Sequence, residues 1–270
     1  MSVLKIGIIG CGSIGTLLAR HADKRKDIRL LHLFDEDNNK ARVLAGKLRN
    51  KATVVRGIAE LSECDLVIEA ASQEAVREHA LAVLDSSDLM IMSMGALADE
   101  ELLSKLTRKA EEKGRTIHLP SGAVAGLDGI KSAAMGETES VTLTTRKPPK
   151  GLLGAPGLAL LDVGLGGIRK PTVVFEGTAD EAARLFPRNV NVAVAISLAG
   201  IGAGKTKVRI IADPFADRNV HEIAVEGSFG RIVTRTENVP LPKNPKTSKL
   251  AALSAIATLD GMTKRLKVGT

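Results

Sequence analysis

Residues 6–15 read Ile-Gly-Ile-Ile-Gly-Cys-Gly-Ser-Ile-Gly, which places glycines at positions 10, 12 and 15. Residues 5–9 are typical of a buried parallel strand, and the residues after Gly15 are compatible with a helix. In such a strand-to-helix turn, Gly10 permits the tight turn, Gly12 leaves room for a pyrophosphate, and Gly15 lets the helix pack on the strand. The N–H groups at the helix N-terminus favour the phosphates. The stretch predicts a dinucleotide-binding turn formed by Gly10, Gly12, Ser13, Ile14 and Gly15.

A second strand candidate, residues 30–34, ends at Asp35, twenty residues after Gly15. A carboxylate at this position accepts hydrogen bonds from both hydroxyls of the adenosine ribose and repels a 2′-phosphate. NAD is therefore expected over NADP. The alternative is an isolated glycine-rich turn in another fold. It is disfavoured because a strand, a helix, a second strand and an acidic residue follow one another at the expected spacing.

Length and composition are those of a soluble globular protein. The 270 residues suffice for one large or two small domains, and the chain is 44% hydrophobic and 26% charged. Two cysteines do not suggest a disulfide framework, and no basic leader precedes the first apolar run, so a cytoplasmic location is expected. The longest uncharged apolar stretch, residues 190–204, is shorter than the ~20 residues that a membrane span needs.

The net charge of +7 makes nucleic acid a candidate partner. The basic residues are spread along the chain, however, and Trp and Tyr are absent, so no platform for stacking bases is predicted. An acidic metabolite and an anionic cofactor account for the charge equally well. We therefore expect small-molecule partners and no nucleic acid.

The first 120 residues alternate between strand and helix patterns. After the two strands above, we predict strands at 53–56, 65–70, 89–93 and 116–119 and helices at 41–49, 74–84 and 99–113. This alternation predicts an α/β fold with a doubly wound parallel (Rossmann) sheet. Residues 1–120 are expected to form an NAD-binding domain.

The pattern changes after residue 120. Strands are predicted at 141–146, 172–176, 207–212, 221–226 and 231–235, with a capping box at Thr178 and Glu181 and a helix at 190–202. Strands without a helix between every pair predict a second α+β domain, residues 121–245, built on a mixed or antiparallel sheet for substrate binding and dimerisation. Residues 246–270, with a helix at about 248–266, are expected to pack back on the first domain.

Three small-residue loops follow predicted strands of the first sheet, where ligands bind in doubly wound folds: residues 70–73, 93–96 and 121–126. Position favours Ala71 and Ser72 as cofactor contacts, although small residues also simply make tight loops. The segment at 121–128 is expected to lie where the nicotinamide ring ends, with backbone amides available to the carboxamide or to an acidic substrate.

Histidine is the natural candidate for proton transfer near neutral pH. Four of the five histidines fall inside or beside predicted elements of the first domain and are expected to be structural: His21, His32, His79 and His118. His221 opens a strand of the second domain within a polar stretch, which makes it the candidate for proton transfer beside a hydride transfer. The alternative is an ordinary surface histidine. The histidines and cysteines are too scattered to predict a metal site.

Several separated motifs together resemble the L-aspartate dehydrogenase family over nearly the whole chain. They are residues 7–15, 121–129, 145–149 (Thr-Arg-Lys-Pro-Pro), 189–193 (Asn-Val-Asn-Val-Ala), 197–200 (Ser-Leu-Ala-Gly), 213–214 (Asp-Pro) and 219–223 (Asn-Val-His-Glu-Ile). The resemblance implies that His221 is catalytic and that Ala125 and Asn191 contact the NAD nicotinamide. It also implies a homodimer that supplies iminoaspartate for NAD biosynthesis. Family members differ in NAD and NADP use, and Lys40 and Arg42 beside Asp35 leave NADP use open.

The implied reaction moves a hydride from Cα of L-aspartate to nicotinamide C4, after which water adds to the imine and ammonia leaves. His221 could deprotonate the ammonium or activate the water, and the sequence leaves both open. Two substrate carboxylates require cationic or amide partners, for which Arg146, Lys147 and Lys205 are candidates, each also explicable as a surface charge.

Asn191 lies at the start of the predicted apolar helix. It could serve only as an N-terminal helix residue, but a buried amide that donates and accepts at once suits the nicotinamide carboxamide. We expect a buried Asn191 in the cofactor site.

Three alternatives remain at this level. A dihydrodipicolinate reductase would show paired histidines in the second domain, and this chain has no adjacent histidines. A homoserine dehydrogenase shares the predicted architecture. A non-enzymatic NAD-sensing regulator would require a separate DNA-binding segment, and we expect the two predicted domains to leave no residues for one.

Overall fold

The computed structural model describes residues 3–187, 190–242 and 244–269. It divides into two compact units. Unit 1 comprises Met1–Pro120 together with Ala252–Lys267, and unit 2 comprises Ser121–Ala251 together with Val268–Thr270.

Unit 1 is built on a six-stranded parallel sheet. Its strands are β1 (Leu4–Ile9), β2 (Ile28–Phe34), β3 (Thr53–Val54), β4 (Leu66–Glu69), β5 (Asp88–Ile91) and β6 (Ile117–His118), in the order β3-β2-β1-β4-β5-β6. The order reverses at β1, which is the topology of a doubly wound dinucleotide-binding sheet. The predicted fold class is confirmed.

Four helices of unit 1 connect these strands: α1 (Ser13–Ala22), α2 (Asn38–Ala45), α3 (Gln73–Val83) and α4 (Glu100–Lys113). Local caps set their limits. The Asp99 carboxylate accepts hydrogen bonds from two N–H groups in the first turn of α4, and Gly114 ends that helix in the left-handed region. Helix α2 begins earlier than the predicted residue 41 and ends earlier than the predicted residue 49. Asp37 caps its start, and Gly46 follows its end.

Unit 2 contains a five-stranded mixed sheet, as predicted. Its strands are β7 (Thr138–Lys147), β8 (Thr172–Thr178), β9 (Lys207–Ala212), β10 (Asn219–Gly227) and β11 (Gly230–Asn238), in the order β11-β10-β7-β9-β8. Strands β7 and β9 are parallel, and the other neighbours are antiparallel.

Unit 2 also contains the α-helices α5 (Leu127–Ala133), α6 (Pro156–Leu160), α7 (Ala179–Leu185) and α8 (Asn191–Ala199) and the short strand pair β12 (Pro240–Leu241) and β13 (Asn244–Ser248). The predicted capping box of Thr178 and Glu181 is present at the start of α7. Helices α5 and α6 and the β12–β13 pair were not predicted. Asn244 and Pro245 lie in β13, which directly precedes the last helix.

The last helix, α9 (Lys249–Thr263), contributes to the core of unit 1. Ala255 and Leu259 are buried in the same apolar cluster as residues of β1 and α1. The Asp260 carboxylate lies 2.6 Å from Nε2 of His21 and 3.2 Å from the Arg25 guanidinium. Within the described ranges, no helix is both long and apolar enough to cross a membrane.

Candidate active-site groups

The glycine turn between β1 and α1 has the geometry that its sequence predicts. Gly10 has a φ of 94°, and a Cβ there would lie 2.7 Å from backbone atoms of Ala70. A Cβ on Gly15 would overlap the carbonyl oxygen of Gly10. A Cβ on Gly12 would meet nothing within 4 Å, so open space lies beside the backbone at the N-cap of α1. That space is where a pyrophosphate would approach the N–H groups of α1, and the turn fits a dinucleotide.

Asp35 follows β2, is half-buried, and already has two backbone partners. Its Oδ2 accepts a hydrogen bond from the N–H of Cys11 at 2.7 Å, and its Oδ1 accepts one from the N–H of Asp37 at 2.9 Å. The sequence pattern predicted a ribose contact and gave no sign of these bonds. Asp35 therefore braces the glycine turn as well as facing the ligand space.

A cavity of about 260 Å³ lies beside this turn within unit 1. Residues at the ends of β1, β2 and β4 and in α2 and α3 line it: Ile9, Gly10, Gly12, Phe34, Asp35, Glu36, Lys40, Ala70, Ala71, Ser72, Ala75 and His79. His79, expected to be structural, packs edge-on against Phe34 with ring centroids 5.4 Å apart. Ser72 also caps α3, because its Oγ accepts a hydrogen bond from the N–H of Ala75 at 3.2 Å. Ser13 and Ile14 are the first residues of α1.

Glu69 is a residue of this region that the sequence analysis missed. It ends β4, only 1% of it is exposed, and it accepts hydrogen bonds from Ala71 and Ser93. Burial raises the pKa of its carboxyl group, against the effect of these hydrogen bonds. The available signal was an acidic residue at the end of an otherwise apolar strand.

In unit 2, His221 is paired with a hydroxyl on the neighbouring strand. His221 on β10 is the register partner of Thr145 on β7, and Nδ1 lies 3.0 Å from Thr145 Oγ1. The histidine is buried with 5% exposure, so the alternative of an ordinary surface histidine is wrong.

Lys147 lies two residues after Thr145 and is therefore on the same face of β7. It is also buried, and burial lowers its pKa to about 8. Burial, reinforced by the positive charge of Lys147, lowers the pKa of His221 to about 3. At neutral pH this face of the sheet therefore holds a neutral imidazole close to an ammonium that is still largely protonated.

The other two cationic candidates lie elsewhere in unit 2. Arg146 points to the opposite face of β7, where its guanidinium lies 2.9 Å from the carboxylate of Asp213. Lys205 is exposed and precedes β9, whereas Lys147 is level with the last residue of that strand, Ala212. Of the three candidates for binding a substrate carboxylate, only Lys147 shares a face with His221.

The loop at residues 121–126 is tied to β11 by polar side chains. Thr236 Oγ1 and Asn238 Nδ2 each donate to the carbonyl of Ala123 at 3.0 Å, and Thr234 Oγ1 donates to the carbonyl of Ala125 at 3.0 Å. Thr236 is the register partner of His221 in the β10–β11 ladder. The loop is thus fixed to the strand that neighbours His221, and Ala125 itself is exposed.

Asn191 is the first residue of α8 and is exposed, so the expected buried amide is wrong. An exposed amide remains accessible to a ligand. Asn189 of the same motif lies outside the described residues. Helix α8 ends at Ala199, before the predicted residue 202, because the N–H of Gly202 folds back to the carbonyl of Ser197 with a φ of 86° at Gly202.

Among the described residues, no group of three or more His, Cys, Asp or Glu side chains is arranged to hold a metal ion. The two cysteines are buried, and burial raises the pKa of each thiol to about 12. A thiol with such a pKa is a poor nucleophile at neutral pH.

Comparison with known proteins matches both halves of the chain. A family model described as aspartate dehydrogenase, C-terminal, matches residues 128–262, and one described as homoserine dehydrogenase, NAD binding domain, matches residues 10–120. The L-aspartate dehydrogenases of Methanosarcina barkeri and Methanosarcina mazei are 53% and 50% identical over 271 residues, and each match covers 99% of this chain and 100% of the relative. A crystal structure of aspartate dehydrogenase from Thermotoga maritima matches with a TM-score of 0.78 and 30% identity, covering 98% of this chain and 99% of that chain.

Proposed function

Because this chain belongs to the L-aspartate dehydrogenase family of oxidoreductases, we propose that it catalyses the NAD(P)-dependent oxidative deamination of L-aspartate. The balanced reaction converts L-aspartate, water and the oxidised dinucleotide into oxaloacetate, ammonium, the reduced dinucleotide and one proton, with iminoaspartate as the intermediate. The observation that carries the proposal is the buried pair of His221 and Thr145 with Lys147 on the same strand face. These groups are suited to proton transfer and to binding an acidic substrate.

Unit 1 would hold the cofactor. Gly10, Gly12, Ser13, Ile14 and Gly15 would face its pyrophosphate, and Asp35 would face its ribose. A second set of contacts, Ala71, Ser72, Ala125 and Asn191, would come from the loops and from α8. When bound, the nicotinamide accepts the hydride from the substrate. The position of Asp35 favours NAD, and Lys40 in the same cavity leaves NADP use open.

His221 would move the proton. Its pKa of about 3 makes the imidazole neutral at physiological pH, so a nitrogen lone pair is available as a base. In the tautomer in which Nδ1–H donates to Oγ1 of Thr145, Nε2 carries the lone pair and would act on the substrate. The base would either take a proton from the substrate ammonium or activate the water that attacks the imine, and the geometry is compatible with both.

A bound dicarboxylate would make His221 a stronger base. Burial lowers the pKa of His221 most, and the charge of Lys147 lowers it further. A substrate carboxylate beside Lys147 offsets that charge, which favours the protonated imidazole. Substrate binding should therefore raise the pKa of His221 toward the range useful for general-base catalysis.

We also propose that the protein acts in the cytoplasm as a homodimer, with unit 2 for substrate binding and dimerisation, and supplies iminoaspartate for NAD biosynthesis. This proposal is supported by membership of the family, because the resemblance to that family implies these properties. The family is less compatible with the alternatives. The first half of the chain matches an NAD-binding model named for homoserine dehydrogenase, but the second half matches aspartate dehydrogenase, which favours neither another reductase nor an NAD sensor.

The test is a screen of L-amino acids with NAD, following the absorbance of NADH. Activity restricted to L-aspartate is expected. His221→Ala should lower kcat by about 10²–10⁴-fold, the scale of general acid–base catalysis, with the Kd for NADH unchanged. His118→Ala on β6 is the matched control, and it should retain full activity. If His221→Ala keeps kcat within a few-fold, another group moves the proton.

A further inference from the structure

Glu69 is a buried carboxylate that the proposed reaction does not use. It is the last residue of β4, which is flanked by β1 on one side and β5 on the other. Its register partner on β5 is Ile91. Because all strands of this sheet are parallel, the loops after β4 and β5 leave from the same edge, where ligands bind in doubly wound folds.

The carboxylate of Glu69 joins these two loops. Its Oε1 accepts a hydrogen bond from the N–H of Ala71 at 2.8 Å and one from the hydroxyl of Ser93 at 2.8 Å. Its Oε2 accepts a hydrogen bond from the N–H of Ser93 at 2.9 Å. A single side chain therefore fixes the second residue after β4 and the second residue after β5.

The first of these loops forms a wall of the cofactor cavity. Ala71 and Ser72 line that cavity together with Gly10. The contact with the glycine turn is close, because a Cβ on Gly10 would lie 2.7 Å from Cβ of Ala71. A shift of Ala71 would therefore move the cavity wall and the turn against which it packs.

We infer that Glu69 is a positioning residue for the dinucleotide: it locks the loops after β4 and β5 to each other and so sets the affinity of unit 1 for the cofactor. The inference rests on the proposed cofactor role of unit 1. Only a group with two acceptor oxygens can hold all three donors at once. A buried carboxylate costs free energy unless donors surround it, so its presence in this core is explained by the loops that it holds.

Glu69→Gln is the direct test, because it keeps the size of the side chain and replaces one oxygen by an NH2 group. The amide can satisfy the two donors at Oε1, but its NH2 group then faces the N–H of Ser93. Ser93→Ala is milder, since it removes the hydroxyl donor and leaves both backbone donors in place. Ser87→Ala is the matched control. Ser87 is fully buried at the other end of β5, where its hydroxyl donates to the carbonyl of Cys64 at 2.7 Å.

The readouts are the Kd for NADH, the KM values for NAD and L-aspartate, and the melting temperature. The chain contains no Trp or Tyr, so NADH binding is measured from the emission of NADH itself. We expect Glu69→Gln to raise the Kd for NADH by about tenfold and Ser93→Ala by about threefold, the scale of one lost hydrogen bond. The KM for NAD should rise with them while the KM for L-aspartate stays constant. Ser87→Ala should lower the melting temperature and leave the Kd unchanged.

A Kd for NADH that is unchanged in Glu69→Gln overturns the inference. If Glu69→Gln does not fold, the two serine variants decide, and an equal Kd for Ser93→Ala and Ser87→Ala overturns it. Failure of the wild-type protein to bind NADH is a different result, because it would overturn the proposed function itself.

Discussion

Oγ1 of Thr145 and Nδ1 of His221 lie 3.0 Å apart, between residues that face each other across antiparallel strands. Thr145 is 3% exposed and His221 is 5% exposed, so the pair is shielded from water. A hydrogen bond to one ring nitrogen fixes the orientation of an imidazole. Thr145 therefore determines which nitrogen His221 presents to a substrate.

Thr145→Val is expected to lower kcat by about tenfold, because it keeps the shape of the side chain and removes the hydroxyl that orients His221. The KM for NAD should not change, since Thr145 is not among the proposed cofactor contacts. Thr145→Ser restores the hydroxyl and should recover most of the activity. Steady-state kinetics of the two variants measure this. A Thr145→Val enzyme with wild-type kcat would mean that packing alone orients the imidazole.

Lys147 gives a pH-dependent prediction. Its pKa of about 8 lies below that of an exposed lysine, so the ammonium is charged below pH 8 and loses its charge as the pH rises through 8. Succinate carries two carboxylates and no amine, so its own charge is constant in this range. Its inhibition constant against L-aspartate should be lowest at neutral pH and rise above about pH 8.

Lys147→Met should weaken succinate inhibition by about tenfold at pH 7 and abolish the rise above pH 8, because the charge that titrates has been removed. Lys205→Met, at the opposite end of β9, is the control and should resemble the wild type. An unaltered pH dependence in Lys147→Met would exclude Lys147 as the titrating group.

The predictable parts of the fold are those in which a local backbone conformation requires a particular residue type, because that requirement is visible in neighbouring residues of the sequence. Gly10 and Gly15 are glycines because a Cβ would collide with backbone, and this constraint is visible as a spacing. The capping box at Thr178 is likewise a pattern of neighbours. Helix α5 was missed because Gly129 lies within it and Gly126, which favours a turn, is its N-cap in the left-handed region.

The parts of the site that were not predictable depend on contacts between distant residues. Glu69 and Ser93 are 24 positions apart, and Thr145 and His221 are 76 positions apart. Neither pair leaves a local pattern, because each is created by strand pairing. The burial of Asn191 was misjudged for a related reason. The strongly apolar sequence of α8 indicates a buried helix but does not say that its first residue is also buried.

Asp35→Ser is expected to shift the preference toward NADP, with the NADP/NAD ratio of kcat/KM rising by about tenfold or more once the repulsion of a 2′-phosphate is removed. Activity with both dinucleotides should also fall, because the N–H of Cys11 loses its acceptor and the glycine turn is less firmly held. Asp37→Ser, two residues later, is the control. Serine still caps α2 there, so the ratio should stay at the wild-type value. An unchanged ratio in Asp35→Ser would show that Asp35 does not contact the ribose.

Asn191→Ala separates a cofactor contact from a helix-terminal role. Asn191 is exposed at the first position of α8, and exposed substitutions usually change the free energy of unfolding by less than about 0.5 kcal/mol. We therefore expect a melting temperature close to that of the wild type together with a KM for NAD raised by about tenfold, the effect of a lost hydrogen bond to the nicotinamide carboxamide. Leu198→Ala, also exposed on α8, is the control and should change neither quantity. A lower melting temperature with an unchanged KM for NAD would instead assign Asn191 to the stability of α8 alone.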